Sequence, residues 1–174
     1  MAKLRKAVAY RRLERPYTRR SKYKKKAFVK VSPASKVVRY ELGNVRKPFP
    51  CMLVLRSKHS LQIRHNAIES ARLTSLRYLE KNLGKQGYHL SIRMYPHHIL
   101  RENPLASGAG ADRMSTGMQL SFGKAIGIAA QVPADKILIA AYVEKDKVEV
   151  AKKALKRAST KLPCSCYIEL RYMG

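Results

Sequence analysis

The sequence predicts a compact α+β sandwich in which two amphipathic helices lie on a mixed β-sheet. Three observations carry that prediction. Two segments repeat apolar residues at helical spacing behind capping-box patterns. Six shorter segments read as strands. A hydrophobic share of 45% in a chain of 174 residues is enough to bury one core, which excludes wholesale disorder. An extended basic arm over residues 1–32 and a long internal loop over 101–123 complete the outline. Residues 33–174 are then a single globular domain.

The arm comes first. Residues 1–32 hold thirteen basic residues and one acid, Glu14. No apolar period of strand or helix persists there, so an extended segment is expected. Tyr10, Tyr17, Tyr23 and Phe28 recur among the cations. Flat rings can stack on unpaired bases while guanidinium and ammonium groups meet phosphates. The expected RNA contacts are Lys3, Arg5, Arg11, Arg12, Arg15, Tyr17, Arg19, Arg20, Lys22, Lys24, Lys25 and Lys26.

Residues 36–42 and 49–55 read as strands joined by 43–48. Asn66-x-x-Glu69 has the form of a capping box with Asn66 as N-cap. Ile68, Ala71, Leu76, Leu79 and Leu83 follow on one helical face, and Gly84 is positioned to stop the helix. Tyr88, Leu90, Ile92 and Met94 alternate with polar neighbours as a strand does, and Pro96 ends the run. After the loop, strands are expected at 126–132 and 137–143. A second box, Asp146-x-x-Glu149, opens a helix with Val148, Ala151, Leu155 and Ala158 inward. Its outer face carries Lys152, Lys153, Lys156 and Arg157, four further candidates for RNA contact. Residues 164–173 alternate as a last strand. No internal repeat is visible.

Charge narrows the function. Lys+Arg total 37 against 11 Asp+Glu, a formal net charge of +26. Such an excess favours a polyanionic partner. A membrane fits poorly, because no window offers the ~18 uninterrupted apolar residues of a spanning helix. The N-terminus lacks the apolar stretch of a secretory signal, although its Arg-rich, acid-poor composition also suits a transit peptide. Three cysteines, an odd number, point to a reducing compartment.

Enzymatic motifs fail at the residues that chemistry needs. Gly108-Ala109-Gly110 begins a dinucleotide-like pattern, but Arg113 stands where the third glycine belongs. Gly117 to Gly123-Lys124 imitates a phosphate loop with one residue too many, and Ala125 replaces the magnesium-binding hydroxyl residue. Glu102 and Asp112 are the only acids of the loop, and no serine elbow exists. Cys51, Cys164, Cys166 and five histidines could furnish metal ligands, yet C-x-C is not zinc spacing. Thiols serving as small hydrophobes are the expectation, with no metal and no cofactor. His97-His98, following a proline, are expected to contact RNA rather than metal. The loop remains: glycine-bearing and basic, with Arg101, Arg113, Lys124, Ser115 and Thr116 able to meet phosphates. Loops of this length are usually functional or disordered.

The run Ala109-Gly110-Ala111-Asp112-Arg113-Met114-Ser115-Thr116-Gly117-Met118, followed by Phe122-Gly123-Lys124, resembles the hallmark of the L-ten-e ribosomal proteins, counterparts of bacterial L-sixteen. Further matches occur at Arg11-Arg12 to Tyr17, Phe49-Pro50, Glu69 to Tyr78, Pro96-His97-His98 and 152–163. The cysteine-rich features of eukaryotic members are missing near the N-terminus, and the carboxyl end lacks their extension, so the likeness leans archaeal. The resemblance implies an α/β-hammerhead-type fold bound to large-subunit ribosomal RNA, near the 5S RNA, in the cytoplasm. It implies neighbouring ribosomal proteins and a loop aimed at the tRNA acceptor end, with basic surfaces along the tRNA path and elbow. The implied loop positions are Arg101, Gly108, Gly110, Asp112, Arg113, Ser115, Thr116, Gly117 and Lys124. Peptide-bond chemistry there belongs to RNA, so no enzyme is expected. The alternatives are a free nucleic-acid-binding protein, which leaves the ten-residue run unexplained, and a nucleic-acid-processing enzyme, which needs an acidic cluster or metal ligands.

Overall fold

The computed structural model describes residues 6–13, 22, 23, 25, 29, 31–102 and 123–173. Eight strands and two α-helices follow in the order β1 (Glu41–Gly43), β2 (Cys51–Ser57), β3 (Leu61–Arg64), α1 (His65–Leu83), β4 (Tyr88–Ile92), β5 (His98–Glu102), β6 (Lys124–Val132), β7 (Ile137–Val143), α2 (Val148–Ser159) and β8 (Cys166–Tyr172). The α+β sandwich stands as expected from the sequence. Its sheets are antiparallel in every pairing rather than mixed: five strands in the order β1-β4-β7-β2-β8, and three in the order β3-β6-β5.

β2 and β7 lie inside the larger sheet, which is why both read as near-continuous apolar runs. One sheet face presents Leu53, Leu55, Leu90, Ile139, Ala141 and Val143. These join Ile68, Ala71 and Leu79 of α1 and Ala151, Ala154, Leu155 and Ala158 of α2 in one apolar cluster. The four alanine and leucine positions of α2 fall at helical spacing, and the alanines let α2 approach α1 and the sheet closely. Leu53, Leu55, Leu79, Leu90 and Leu155 are essentially inaccessible to solvent. Truncating any one of them to alanine costs about 2–5 kcal/mol.

Both capping boxes are absent, each for a local reason. β3 runs straight into α1, so the helix starts at His65 with Arg64 as N-cap, set by the pairing of Arg64 with Ala129. The Asn66 carboxamide oxygen accepts from the Ala67 N–H at 3.0 Å, and Glu69 turns forward to Arg72 rather than back to the helix start. Asp146 sits in a short 3₁₀ turn over Lys145–Lys147, and α2 begins after it with no side-chain cap. Gly84 does end α1: its φ of 66° suits glycine, and its N–H donates to the Glu80 carbonyl at 3.0 Å.

The first predicted strand shortens to Glu41–Gly43. Residues 36–40 form no strand: the Ser35 hydroxyl binds both backbone groups of Val37, the Lys36 N–H reaches His65 Nδ1 at 3.3 Å, and only the Tyr40 carbonyl accepts from β4, from the Ile92 N–H at 2.8 Å. β3 and β5 have no counterpart in the sequence reading, and together with β6 they form the second sheet. Of the six segments read as strands, five correspond closely to β2, β4, β6, β7 and β8, with β7 over identical residues.

Candidate RNA interface

The outer face of α2 is the densest described group of cations on a regular element. Lys152, Lys153, Lys156 and Arg157 are all exposed, with Lys145 and Lys147 before them and Lys161 after. Alternate placement of buried alanines and exposed cations follows from the helical period, so the residues that dock α2 inward also aim its charges outward. Lys152 lies 3.8 Å from Glu149, with both side chains well exposed, a pairing worth little in water. Arg157 differs from the lysines. Its guanidinium lies 4.2 Å from the centre of the Tyr78 ring on α1, so it also ties the two helices together. Arg77 and Lys81, on either side of Tyr78 along α1, are exposed and extend the set. Sequence reasoning missed these α1 cations because it read α1 only for its buried face.

The described part of the arm is attached to the smaller sheet. Ala7–Tyr10 form one 3₁₀ turn. The Gln62 backbone N–H donates to the Arg11 carbonyl at 2.8 Å, and its side-chain amide donates to the Tyr10 carbonyl at 2.9 Å. Arg64 lies 5.8 Å from the Tyr10 ring centre. Val29 is buried with Ile99 and Ile128, against Ala125. Arg11, Arg12, Lys22 and Lys25 are exposed, and Lys22 lies 5.4 Å from the Tyr23 ring centre. Lys3, Arg5, Arg15, Tyr17, Arg19, Arg20, Lys24 and Lys26 lie outside the described residues.

Two positions expected in the loop are strand residues at its base. Arg101 in β5 pairs with Ala125, and Lys124 in β6 pairs with Glu102. A bulge between Leu100 and Arg101 gives β6 one extra residue there, which bends the hairpin where the connection leaves it. Gly108, Gly110, Asp112, Arg113, Ser115, Thr116 and Gly117 lie outside the described residues. Of the two histidines expected to contact RNA, His97 is exposed and His98 is buried. Burial, then His97 and Arg101, push the His98 pKa down to about 4, so His98 is neutral near pH 7 and adds no cation. Burial and the neighbouring Lys36 and Arg64 also lower the pKa of His65.

Four of the described carboxylates serve structural partners. Glu41 meets His89 and Ser91, Glu69 meets Arg72, Glu144 meets Lys47, and Glu169 meets both Arg56 and Arg171. The thiols are less buried than expected: Cys51 is fully buried, but Cys164 and Cys166 only partly. The latter two sulfurs lie 3.4 Å apart, and their shared hydrogen bond lowers the pKa of Cys164 and raises that of Cys166. Among the described residues no three of His, Cys, Asp and Glu gather at metal-binding range. No described helix is long and apolar enough to cross a membrane.

Residues 18–169 match the family of ribosomal protein L16p/L10e. Large ribosomal subunit protein uL16 of the archaeon Methanococcus maripaludis (strain S2) is 47% identical over 165 residues, covering 95% of this chain and 92% of the relative. Proteins of the same name from Archaeoglobus fulgidus and Staphylothermus marinus are 43% and 45% identical over 157 and 148 residues. They cover 90% and 85% of this chain, and 87% and 82% of their own lengths. Likeness at this level runs from the arm into β8, through the α2 face and both strands at the loop base, and by it the chain belongs to the ribosomal protein L16p/L10e family, whose members are structural proteins and not enzymes.

Proposed function

We propose that the protein is a constituent of the large ribosomal subunit that binds large-subunit ribosomal RNA through its arm and the α2 face. In this reading the 103–123 connection is held toward the tRNA acceptor end by the β5–β6 hairpin. The protein lies near the 5S RNA with other ribosomal proteins beside it, and basic side chains follow the tRNA path toward the elbow. The observation that carries the reading is the placement of charge in a member of this family. Exposed cations sit on α2 and along the described part of the arm, while Glu41, Glu69, Glu144 and Glu169 are taken up by partners within the protein. Phosphate contacts of this kind fix position and register, which is what a scaffold for RNA and tRNA requires. The protein contributes no reacting group, because its role is to hold RNA in place.

The reading is tested in two steps. The tagged protein should co-sediment with large subunits through a high-salt sucrose gradient. Protein remaining at the top of the gradient would point instead to a free nucleic-acid-binding protein. The loop variants Arg113→Ala and Gly110→Val should then melt as the wild type does and still join the subunit, while tRNA binding or subunit maturation fails. Ribosomes fully loaded with either variant and translating normally would remove the loop from function and leave the scaffold role alone.

A further inference from the structure

The face of the five-stranded sheet turned away from the helices carries an aromatic pocket that the basic surfaces above do not use. His89 on β4 and Tyr142 on β7 are directly opposed, with ring centres 4.8 Å apart and planes within 13° of parallel. Glu41 Oε2 lies 2.6 Å from His89 Nε2, and Arg93 donates to the Tyr142 hydroxyl at 3.1 Å, so both rings are fixed in orientation. Pro48, Phe49, Pro50 and Met173 close the other side of a cavity of about 560 Å³. The Met173 N–H donates to the Pro50 carbonyl at 2.8 Å, which fixes the Met173 backbone beside the pocket and leaves its side chain half-exposed.

The rim is held as firmly as the rings. Asn44 Oδ1 accepts from the N–H groups of Arg46 and Lys47 at 3.1 and 3.2 Å, and the Asn44 side chain donates to Gln86 at 2.7 Å. Lys47 lies 5.3 Å from the Phe49 ring centre and 2.8 Å from Glu144. That ion pair joins the rim to the Lys145–Lys147 turn, which leads directly into α2 and its basic face. Lys47 lines the pocket, and its chain neighbour Arg46 and the Lys145 and Lys147 that follow its partner Glu144 are exposed, against Glu144 and Asp146, so the charge around this side of the pocket favours an anion. By contrast, the larger groove of about 760 Å³ beside α1 is walled by Lys36, Arg39, Arg72 and Lys85 with Glu41, Glu69 and Glu80, and favours neither sign.

We propose that this pocket takes one unpaired nucleobase of the ribosomal RNA, stacked among the fixed rings with its phosphates on Lys47 and Arg46. The proposal rests on the RNA-binding reading above. A cationic rim around a slot of flat, preorganised apolar surfaces is the chemistry that recognises a base with its phosphate, whereas an apolar protein side chain has no use for the charge. The pocket then adds a stacking contact to an interface otherwise made of salt-sensitive phosphate contacts.

The test measures binding of the full chain to protein-free large-subunit RNA at two salt concentrations. Tyr142→Leu should weaken binding about 5- to 150-fold at both, with the salt slope unchanged, since a stacking contact releases no counterions. Tyr142→Phe keeps the ring and should bind as the wild type does. Thermal melts establish that both variants are folded. Wild-type binding with an unchanged Tyr142→Leu variant overturns the pocket while leaving the RNA reading intact. Failure of the wild type to prefer this RNA over an unrelated RNA overturns the RNA reading itself. In assembled subunits, a photoreactive residue at Met173 should cross-link to RNA. Cross-links to protein alone, or none above the dark control, overturn the proposal.

Discussion

The α2 face offers the most direct quantitative test of how the protein meets RNA. The perturbation is the triple substitution Lys152→Ala, Lys153→Ala and Lys156→Ala, leaving Arg157 in place because it stacks on Tyr78 and supports the packing of α1 on α2. The three lysines are exposed, and the one ion pair among them spans 3.8 Å between solvated groups, so the fold should lose less than about 1 kcal/mol. Alanine also has the higher helix propensity. For RNA the effect is much larger. Each phosphate contact adds roughly 0.7–0.9 to the slope of log affinity against log salt. Three lost contacts therefore lower the slope by about 2–2.7. Between 50 and 200 mM salt the fall in affinity should shrink by about 20- to 40-fold relative to the wild type. Filter binding to large-subunit RNA across that range gives both slopes. A variant with the wild-type slope would show that α2 faces away from the phosphates and that the arm carries them.

Three further outcomes follow from particular residues. Gly43 has φ +82° and a Cβ there would lie 2.3 Å from the Tyr88 carbonyl, so Gly43→Ala should cost about 2–4 kcal/mol in chemical denaturation, and a loss below about 0.5 kcal/mol would refute the clash. His98 is held neutral in the fold with a pKa of about 4 against 6.5 when exposed, so the unfolded chain binds the extra proton between those values. Its contribution of up to about 3 kcal/mol is complete above pH ~6.5 and is lost as the pH falls toward 4. His98→Leu should flatten that part of the pH–stability profile, and an unaltered profile would contradict the burial argument. Gln62→Leu removes the bond to the Tyr10 carbonyl and should cost about 1 kcal/mol while speeding proteolysis of the first dozen residues. Unchanged cleavage there would mean that the Arg11 backbone contact alone holds the arm.

The parts of the fold legible in the sequence are those whose period survives their surroundings. α2 shows its inward alanines and outward lysines because it lies on the surface of the sandwich, and β7 shows its bounds because charged residues flank a continuous apolar run. β3 and β5 were hidden for different reasons. β3 is four residues long and passes into α1 without a turn, so its Leu61 and Ile63 merge with the helical pattern that begins at His65. β5 buries His98, Ile99 and Leu100 in succession and does not alternate. Burial on both faces, together with its origin just after Pro96, erased the period-two signal. Among the candidate contacts, exposure of the α2 cations followed from helical spacing. The stacking of Arg157 on Tyr78 did not, because it depends on how two helices far apart in sequence cross.

The hidden strands are also the ones that hold the segments which the proposed role turns toward RNA. β3 receives Tyr10 and Arg11 through both the backbone and the side chain of Gln62. β5 and β6 bury Val29 against Ile99 and Ile128 and carry the two ends of the 103–123 connection at Glu102 and Lys124. One three-stranded sheet thus holds the arm near both ends of its described part and also holds the base of the loop. That sheet is built onto the main core through α1, which packs on β3 and β6 as well as on β4 and α2. The arrangement explains how a chain with net charge +26 folds without its cations meeting in the interior. Apolar residues from both sheets and both helices make one core, while the charge is displaced to a helix face and to segments tethered through the Arg11 carbonyl, the buried Val29 and the paired strand ends at Glu102 and Lys124. Neither a backbone hydrogen bond nor a buried valine depends on the charge of the side chains around it, so the arm can remain strongly basic in sequence and still be held at Arg11 and Val29. In the proposed role that matters more than affinity, because a scaffold must present its cations in register with RNA that is already folded.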